Sequence, residues 1–400
     1  MDERIRVLEV IEATTAGTKK HVLSLVKALD KTRFSVAVAC PRVRSHAYGD
    51  TSFVEELESL GGLSVFLVEM QRNIQPLSDM KALAALFRVI EKGQYHVVHA
   101  HSSKAGVLGR LAAKWVDTPA ILYTPHGFAF RNVRSKFIRW IYIQIERLCG
   151  RWTDRIICVS PTEREEALRS QIAPPNKLVV IENGLDASEF AAPLDPLAKK
   201  QRLRPNADNP IVGTMGRLSW GKGVEYFLQA ATKVIRGYPD VQFLIVGDGE
   251  ARRDLEQLAT NLGISPQTIF TGFRPDSMEI LALMDVFVLP SLHEAMPYTI
   301  LEAMASGKPV VAIEGTGAQD AIQQGKTGLL VPPRDLDALA SAIMALLQDK
   351  ARAQAMGLAG REMVASRFTL AQMVRRTEEL YTTLFETKLA SSIITSRRMA

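Results

Sequence analysis

Two glutamates eight residues apart carry the densest chemistry in this chain. They stand in HEAMPYTILEAMASGKPVV, residues 293–311. Glu294 lies in a loop after the strand-like run VFVLPS. Glu302 falls inside a short helix otherwise made of Ile300, Leu301, Ala303, Met304 and Ala305. Pro297 suits the first turn of that helix, and Gly307 followed by Pro309 closes it. A carboxylate in so apolar a setting is costly unless it accepts strong hydrogen bonds. The vicinal hydroxyls of a ribose would supply two. The amides of Ala295, Met296 and Tyr298 would face a phosphate at the helix N-terminus. The plainer reading is a capped or salt-bridged Glu302 and an exposed Glu294.

A second cluster, GRLSWGKG (216–223), places Arg217 at a strand end and Lys222 in the next loop, just before a helix. Two cations beside a helix N-terminus suit a diphosphate, although surface charges are more often simply solvated. Near the start, TTAGTKKH (14–21) opens a helix with Gly17 and Thr18, whose amides suit an anion or a sugar hydroxyl. One glycine stands where the dinucleotide fingerprint G-x-G-x-x-G needs three, and an ordinary βα turn reads equally well. His126, in YTPHGF, follows another strand and could donate to a phosphate or a sugar hydroxyl. His99 and His101 in VVHAHS compete with it. They share one strand face, but no third metal ligand accompanies them at suitable spacing. The pair Asp335 and Asp337 opens a helix, where capping explains it better than a metal does.

These groups need strand ends to hold them, and the pattern provides such ends. Apolar runs at 5–13, 34–40, 63–70, 96–102, 120–127, 155–160 and 178–184 alternate with amphipathic helical stretches. The alternation lapses over 188–209, a Pro-, Asp- and Asn-rich linker with a short helix. It resumes at 210–218, 241–249, 268–273, 286–291, 309–314 and 328–333. Buried strands separated by helices imply parallel sheets covered on both faces. The expected fold is α/β, with two doubly wound Rossmann-like domains facing across a cleft. They cover residues 1–187 and 210–368, and a last amphipathic helix covers 369–388. Ligands of such sheets bind at the carboxyl ends of the strands.

Composition narrows the class further. The 400 residues include 49 basic and 43 acidic side chains, a net charge of +6, and 47% are apolar. These are ordinary globular values that exclude a disordered or fibrous chain. Three cysteines, Cys40, Cys149 and Cys158, form no C-x-x-C pair and fit a reducing cytosol. Neither a signal peptide nor a run long enough to span a bilayer is visible. A cytoplasmic protein is expected, at most peripheral at the inner face of the membrane. A pI near 9 allows an anionic partner. Segment 130–151 has Arg131, Arg134, Lys136, Arg139, Arg147 and Arg151 against Glu146, with Ile138, Ile141, Ile145 and Leu148 at helical spacing. It reads either as a domain helix with a basic solvent face or as a helix on an anionic membrane surface.

Taken together, these residues resemble family 4 glycosyltransferases of the GT-B class. The resemblance runs from the Gly17–His21 loop to the last helix. It is most specific at Glu294 and Glu302, which match an E-x7-E signature. GRLSWGKG, IVGDGEAR (245–252) and GKTGLLVPPRD (325–335) match further motifs. HSSKAGVLGRLAAK and YTPHGFAF are similar to members that build bacterial polysaccharides and lipid-linked oligosaccharides. The resemblance implies a retaining, metal-independent enzyme without a cofactor. It would move a hexosyl or N-acetylhexosaminyl group from a UDP- or GDP-sugar to a glycan or polyprenyl-diphosphate-linked acceptor. The N-terminal domain would bind the acceptor and the C-terminal domain the donor. Arg217 and Lys222 would hold the diphosphate, Glu302 the ribose and Glu294 the donor sugar. His126 would lie by the transferred sugar, and the base near Gly272, Phe273 and Arg274. The final helix would cross back to the first domain. Ala295, where many members carry Gly, and Asp320, where Glu is common, depart from the pattern. A nucleotide-sugar epimerase or hydrolase of the same class is the nearest alternative. A nicotinamide-dependent dehydrogenase lacks its glycine fingerprint. No nucleic-acid partner is expected.

Overall fold

The computed structural model describes residues 3–43, 51–190 and 209–399. The expected linker lies mostly outside them, at 191–208. The chain divides into two compact units. One runs to Asn183 and regains Leu370 onward, and the other comprises Gly184–Thr369.

Among the described residues, the first unit is built on seven strands: β1 (Ile5–Ile11), β2 (Phe34–Cys40), β3 (Ser64–Leu67), β4 (Val97–His101), β5 (Ala120–Thr124), β6 (Arg155–Cys158) and β7 (Leu178–Val180). Between them run α1 (Ala16–Ala28), α2 (Phe53–Ser59), α3 (Pro76–Gly93), α4 (Ser103–Trp115), α5 (Lys136–Trp152) and α6 (Pro161–Arg169). All pairings are parallel, in the order β3-β2-β1-β4-β5-β6-β7. Each strand expected in this half is present, because strands covered by helices are predominantly apolar. The order reverses between β1 and β4, and the carboxyl ends there form the usual ligand crevice of an open α/β sheet.

Among the described residues, the second unit has six parallel strands: β8 (Ile211–Met215), β9 (Gln242–Val246), β10 (Thr268–Gly272), β11 (Val286–Leu289), β12 (Val310–Ile313) and β13 (Gly328–Val331). Its helices are α7 (Val224–Gly237), α8 (Arg252–Asn261), α9 (Ser277–Ala282), α10 (Tyr298–Ala305), α11 (Leu336–Gln348) and α12 (Lys350–Arg367). The order is β10-β9-β8-β11-β12-β13, with the reversal between β8 and β11. The last helix, α13 (Leu370–Met399), belongs to the first unit. There Met373, Val374, Tyr381 and Leu384 pack with Ile5, Val7, Leu122 and Ile157.

Candidate active site

At the reversal of the second sheet, β8 is followed by Gly216 and Arg217, and β11 by Pro290. Gly223 caps α7 with φ +71°, and a Cβ there would stand 1.9 Å from the Pro290 carbonyl oxygen. Only glycine fits both conditions, so the Lys222 loop is pinned against the end of β11. The backbone bond from Leu292 N–H to Gly221 O, 3.1 Å, adds a second tie. Lys222 Nζ thereby reaches Glu294 Oε1 at 2.7 Å. The backbone of Glu294 is held in turn by Gly317 N–H, which donates to its carbonyl at 2.9 Å. A Cβ on Gly317 would lie 1.4 Å from the Ala295 carbonyl oxygen. Gly317 is thus a support of the site that sequence inspection missed, since nothing local marks a residue needed for a close approach from another segment.

The two cations do not stand open. Arg217 donates to Glu250 Oε2 from Nη2 at 3.0 Å and from Nε at 3.2 Å. Glu250 lies in the IVGDGEAR segment, but its pairing with Arg217 was not read from it. Helix α10 begins at Tyr298, with Pro297 at its N-cap rather than in its first turn, one residue later than the sequence suggests. Ala295, Met296 and Glu302 are buried. Burial pushes the neighbouring Tyr298 hydroxyl upward, and the charge of Glu302 adds to this. Gly272 ends β10 with φ +74°. Phe273 beyond it is 48% exposed, and Arg274 grips Asp276 through two bonds of 2.7 and 2.6 Å. The Asp335 side chain accepts from Ala338 N–H at 2.9 Å and caps α11, while Asp337 pairs with Lys233. The D-x-D pair is therefore a helix start.

The first unit gathers its histidines at its own reversal. His101 ends β4 and His126 follows β5. His21 comes from α1, which already begins at Ala16, so that Gly17 and Thr18 lie in its first turn rather than in a loop. His101 Nδ1 stands 3.1 Å from His126 Nε2, and its Nε2 stands 2.7 Å from Glu9 Oε2. His21 Nδ1 is 2.9 Å from Asn183 Oδ1. The rings of His21 and His126 are 4.6 Å apart. His21, His101 and His126 form one cluster with metal-ligand spacing, and Glu9, His99 and His101 form another. The third ring that the sequence did not show thus comes from a separate element. Burial pushes His21 down to about 3 and His101 down to about 4, with nearby rings assisting. Burial likewise holds His126 well below its ordinary value. The three rings are neutral at neutral pH. His126 itself has φ +54°, and Gly127 has φ +96°. This unusual backbone is held by Glu163, which accepts from Gly127 N–H at 2.6 Å and Val159 N–H at 2.7 Å. Burial pushes the Glu163 carboxyl up to about 7, against those two bonds.

Helix α5 packs Tyr142 and Ile143 against the core around Tyr123 and Phe128, and leaves other apolar side chains outward. Phe137, Ile138, Trp140, Ile145 and Leu148 are exposed, whereas the inward side carries Glu146. That carboxylate accepts from the fully buried Arg110 at 2.8 Å and from Tyr123 at 3.0 Å. No helix among the described residues is long and apolar enough to cross a membrane.

Comparison with known proteins agrees with this architecture. Residues 16–184 match the family described as "Glycosyl transferase 4-like domain", and residues 197–363 match "Glycosyl transferases group 1". The chain is 34% identical over 320 residues to UDP-Gal:alpha-D-GlcNAc-diphosphoundecaprenol alpha-1,3-galactosyltransferase of Escherichia coli, covering 79% of this chain and 82% of that one. It is 27% identical over 340 residues to the capsular polysaccharide biosynthesis glycosyltransferase CapM of Staphylococcus aureus, covering 83% and 88%. Among solved structures, HepE of Anabaena in complex with UDP-glucose superposes with a TM-score of 0.81 at 22% identity, covering 95% of this chain and 100% of that one. The chain belongs to the group 1, family 4-like glycosyltransferases and has their GT-B fold.

Proposed function

We infer that this glycosyltransferase moves a hexosyl or N-acetylhexosaminyl group from a UDP- or GDP-sugar to a glycan or polyprenyl-diphosphate-linked acceptor, with retention and without a metal. The observation that carries the reading is the Lys222–Glu294 pair beside the start of α10. A cation and a carboxylate in contact suit a substrate with a diphosphate next to a sugar. The diphosphate displaces the carboxylates from Lys222 and Arg217, and Glu294 then turns to sugar hydroxyls. Breaking the C1–O bond puts charge on the leaving diphosphate, which the two cations and the α10 amides stabilise in place of a metal. In the front-side reaction the leaving phosphate oxygen takes the acceptor hydroxyl proton, and the acceptor oxygen bonds C1 on the face just vacated. The UDP-Gal-dependent relative and the UDP-glucose complex favour a UDP-sugar, and the names of the two relatives favour an acceptor used in cell-surface polysaccharide synthesis.

The exposed apolar side chains of α5, flanked by Arg134, Lys136 and Arg139, suit attachment to an anionic membrane surface. This would place the enzyme at the cytoplasmic face, where lipid-linked acceptors are made. A thermal-shift screen of UDP- and GDP-sugars tests the donor assignment. Turnover should require an acceptor, and sugar release without one would support a hydrolase instead. Trapping a glycosyl-enzyme adduct would overturn the front-side reaction.

A further inference from the structure

A buried row of polar side chains runs from the C-terminal helix to His126. Tyr381 of α13 donates its hydroxyl hydrogen to Glu9 Oε1 at 2.8 Å. Glu9 Oε2 lies 2.7 Å from His101 Nε2 and 3.3 Å from His99 Nδ1. His99 Nδ1 is also 2.6 Å from the Tyr381 hydroxyl, and its Nε2 is 2.8 Å from Thr124 Oγ1. Glu9, His99, His101 and Tyr381 are all buried. Burial alone would raise the Glu9 carboxyl, but the adjoining His99 and His101 more than reverse this and keep it ionised.

An ionised carboxylate has only acceptors. His101 must therefore carry its hydrogen on Nε2. A neutral imidazole has one hydrogen, so His101 Nδ1 is an acceptor. His126 Nε2, 3.1 Å away, must then be the donor across that contact. Its remaining nitrogen, Nδ1, is left with a lone pair. His99 fits the same order, with its hydrogen on Nδ1 and its Nε2 accepting from Thr124. On the far side, Asn183 Oδ1 accepts from His21 Nδ1 at 2.9 Å, so His21 Nε2 also keeps a lone pair.

We propose that Glu9 and His101 are positioning residues that fix the hydrogen of His126 on Nε2, so that its Nδ1 accepts from a sugar hydroxyl and turns away phosphate or carboxylate oxygen. The sequence left open whether His126 meets a phosphate or a hydroxyl. Lone pairs on His126 and His21, with the Glu9 charge behind them, favour a ligand that brings hydrogens. The choice of a sugar hydroxyl rests on the transferase reading. The tautomer order does not, because every contact that dictates it lies within the protein.

The test is a long-range 15N–1H correlation spectrum of the full chain labelled at histidine, recorded at neutral pH. Single His→Gln substitutions assign the signals. His101 and His126 should each show hydrogen on Nε2 and an acceptor Nδ1, and His99 should show the reverse. In Glu9→Gln the carboxylate no longer sets the direction, and His101 and His126 should exchange between both tautomers. Inorganic phosphate should leave the His126 signals in place. The proposal is overturned if wild-type His126 carries its hydrogen on Nδ1, is doubly protonated, or becomes protonated on adding phosphate. It is also overturned if Glu9→Gln folds and both rings keep the wild-type pattern. Should that variant fail to fold, the wild-type spectrum decides alone. These spectra need no donor or acceptor. Failure of the transferase reading would appear in the turnover assay and not here.

Discussion

Glu302 lies inside α10, and on the proposed reading it would hold the ribose, away from the reacting carbon. Such a contact is similar in ground and transition states, so its loss weakens binding more than chemistry. Hydrogen bonds to a charged acceptor are worth about 1.5–3 kcal/mol. Glu302→Gln should therefore raise the donor KM roughly tenfold or more and weaken the free nucleoside diphosphate by a similar factor. Glu294 is assigned to the sugar, where positive character develops as the bond breaks. Glu294→Gln should mainly lower kcat. Because Glu294 pairs with Lys222 at 2.7 Å, its neutralisation releases a cation. The free diphosphate should then bind as tightly as in the wild type or tighter. Calorimetric titration with UDP and GDP separates the two roles. Equal loss of the diphosphate in both variants, each folded, would refute the division.

At the scale of elements, α5 and α13 make separate predictions. The outer side of α5 shows two large aromatic rings, Phe137 at 69% and Trp140 at 56% exposure. Full-length protein should sediment with vesicles containing anionic lipid, and added salt should weaken this. The double variant Phe137→Ser, Trp140→Ser should lose most of the binding while keeping its far-UV circular dichroism. Equal sedimentation with neutral and anionic vesicles would count against the membrane assignment. Helix α13 contributes Tyr381, fully buried between Glu9 and His99. Tyr381→Phe keeps the ring in its apolar cluster but leaves both partners short of a bond. The expected cost is about 1–3 kcal/mol, measurable as a lower denaturation midpoint. A midpoint equal to wild type would mean that the hydroxyl is not part of the buried row.

Across the whole molecule, the buried neutral histidines set a pH dependence of stability. His21, His101 and His126 all titrate below the 6.5 of an unfolded histidine. Below that pH the unfolded chain takes protons that the folded chain refuses, so stability falls on acidification. Glu163 acts in the opposite sense. Its folded value of about 7 lies above 4.5, so its contribution grows as pH falls through 7 towards 4.5. Three rings against one carboxyl leave a net loss on the order of 2 kcal/mol between pH 6.5 and 5.5. Denaturant melts at the two values check this, and equal or greater stability at 5.5 would contradict it. Catalysis has its own whole-chain test. With Arg217, Lys222 and the α10 amides in place of a metal, transfer should persist in excess chelator. Complete loss restored by Mg²⁺ or Mn²⁺ would overturn that part of the mechanism.

The thirteen strands of the described residues were legible in the sequence, because strands covered by helices are predominantly apolar and flanking turns set their length. The E-x7-E window and the Arg217–Lys222 loop were legible as candidates too, since each pair lies within one short segment. Their position at the reversal of the second sheet follows from the strand order, which hydrophobic period does not encode. The histidine cluster shows the difference most plainly. His99 and His101 are neighbours in sequence, but Glu9 meets His101 across 92 residues, His21 meets Asn183 across 162 and Glu9 meets Tyr381 across 372. Period and composition identify each element. Which elements become neighbours depends on how the crossovers order the sheet and where the last helix packs. Likewise, the repeat of Ile138, Ile141, Ile145 and Leu148 marked an amphipathic helix. Only the tertiary structure decided that Ile138, Ile145 and Leu148 face outward while Ile141 is half-buried, because the buried Arg110 and Tyr123 take Glu146 as their partner and turn its side of α5 to the core.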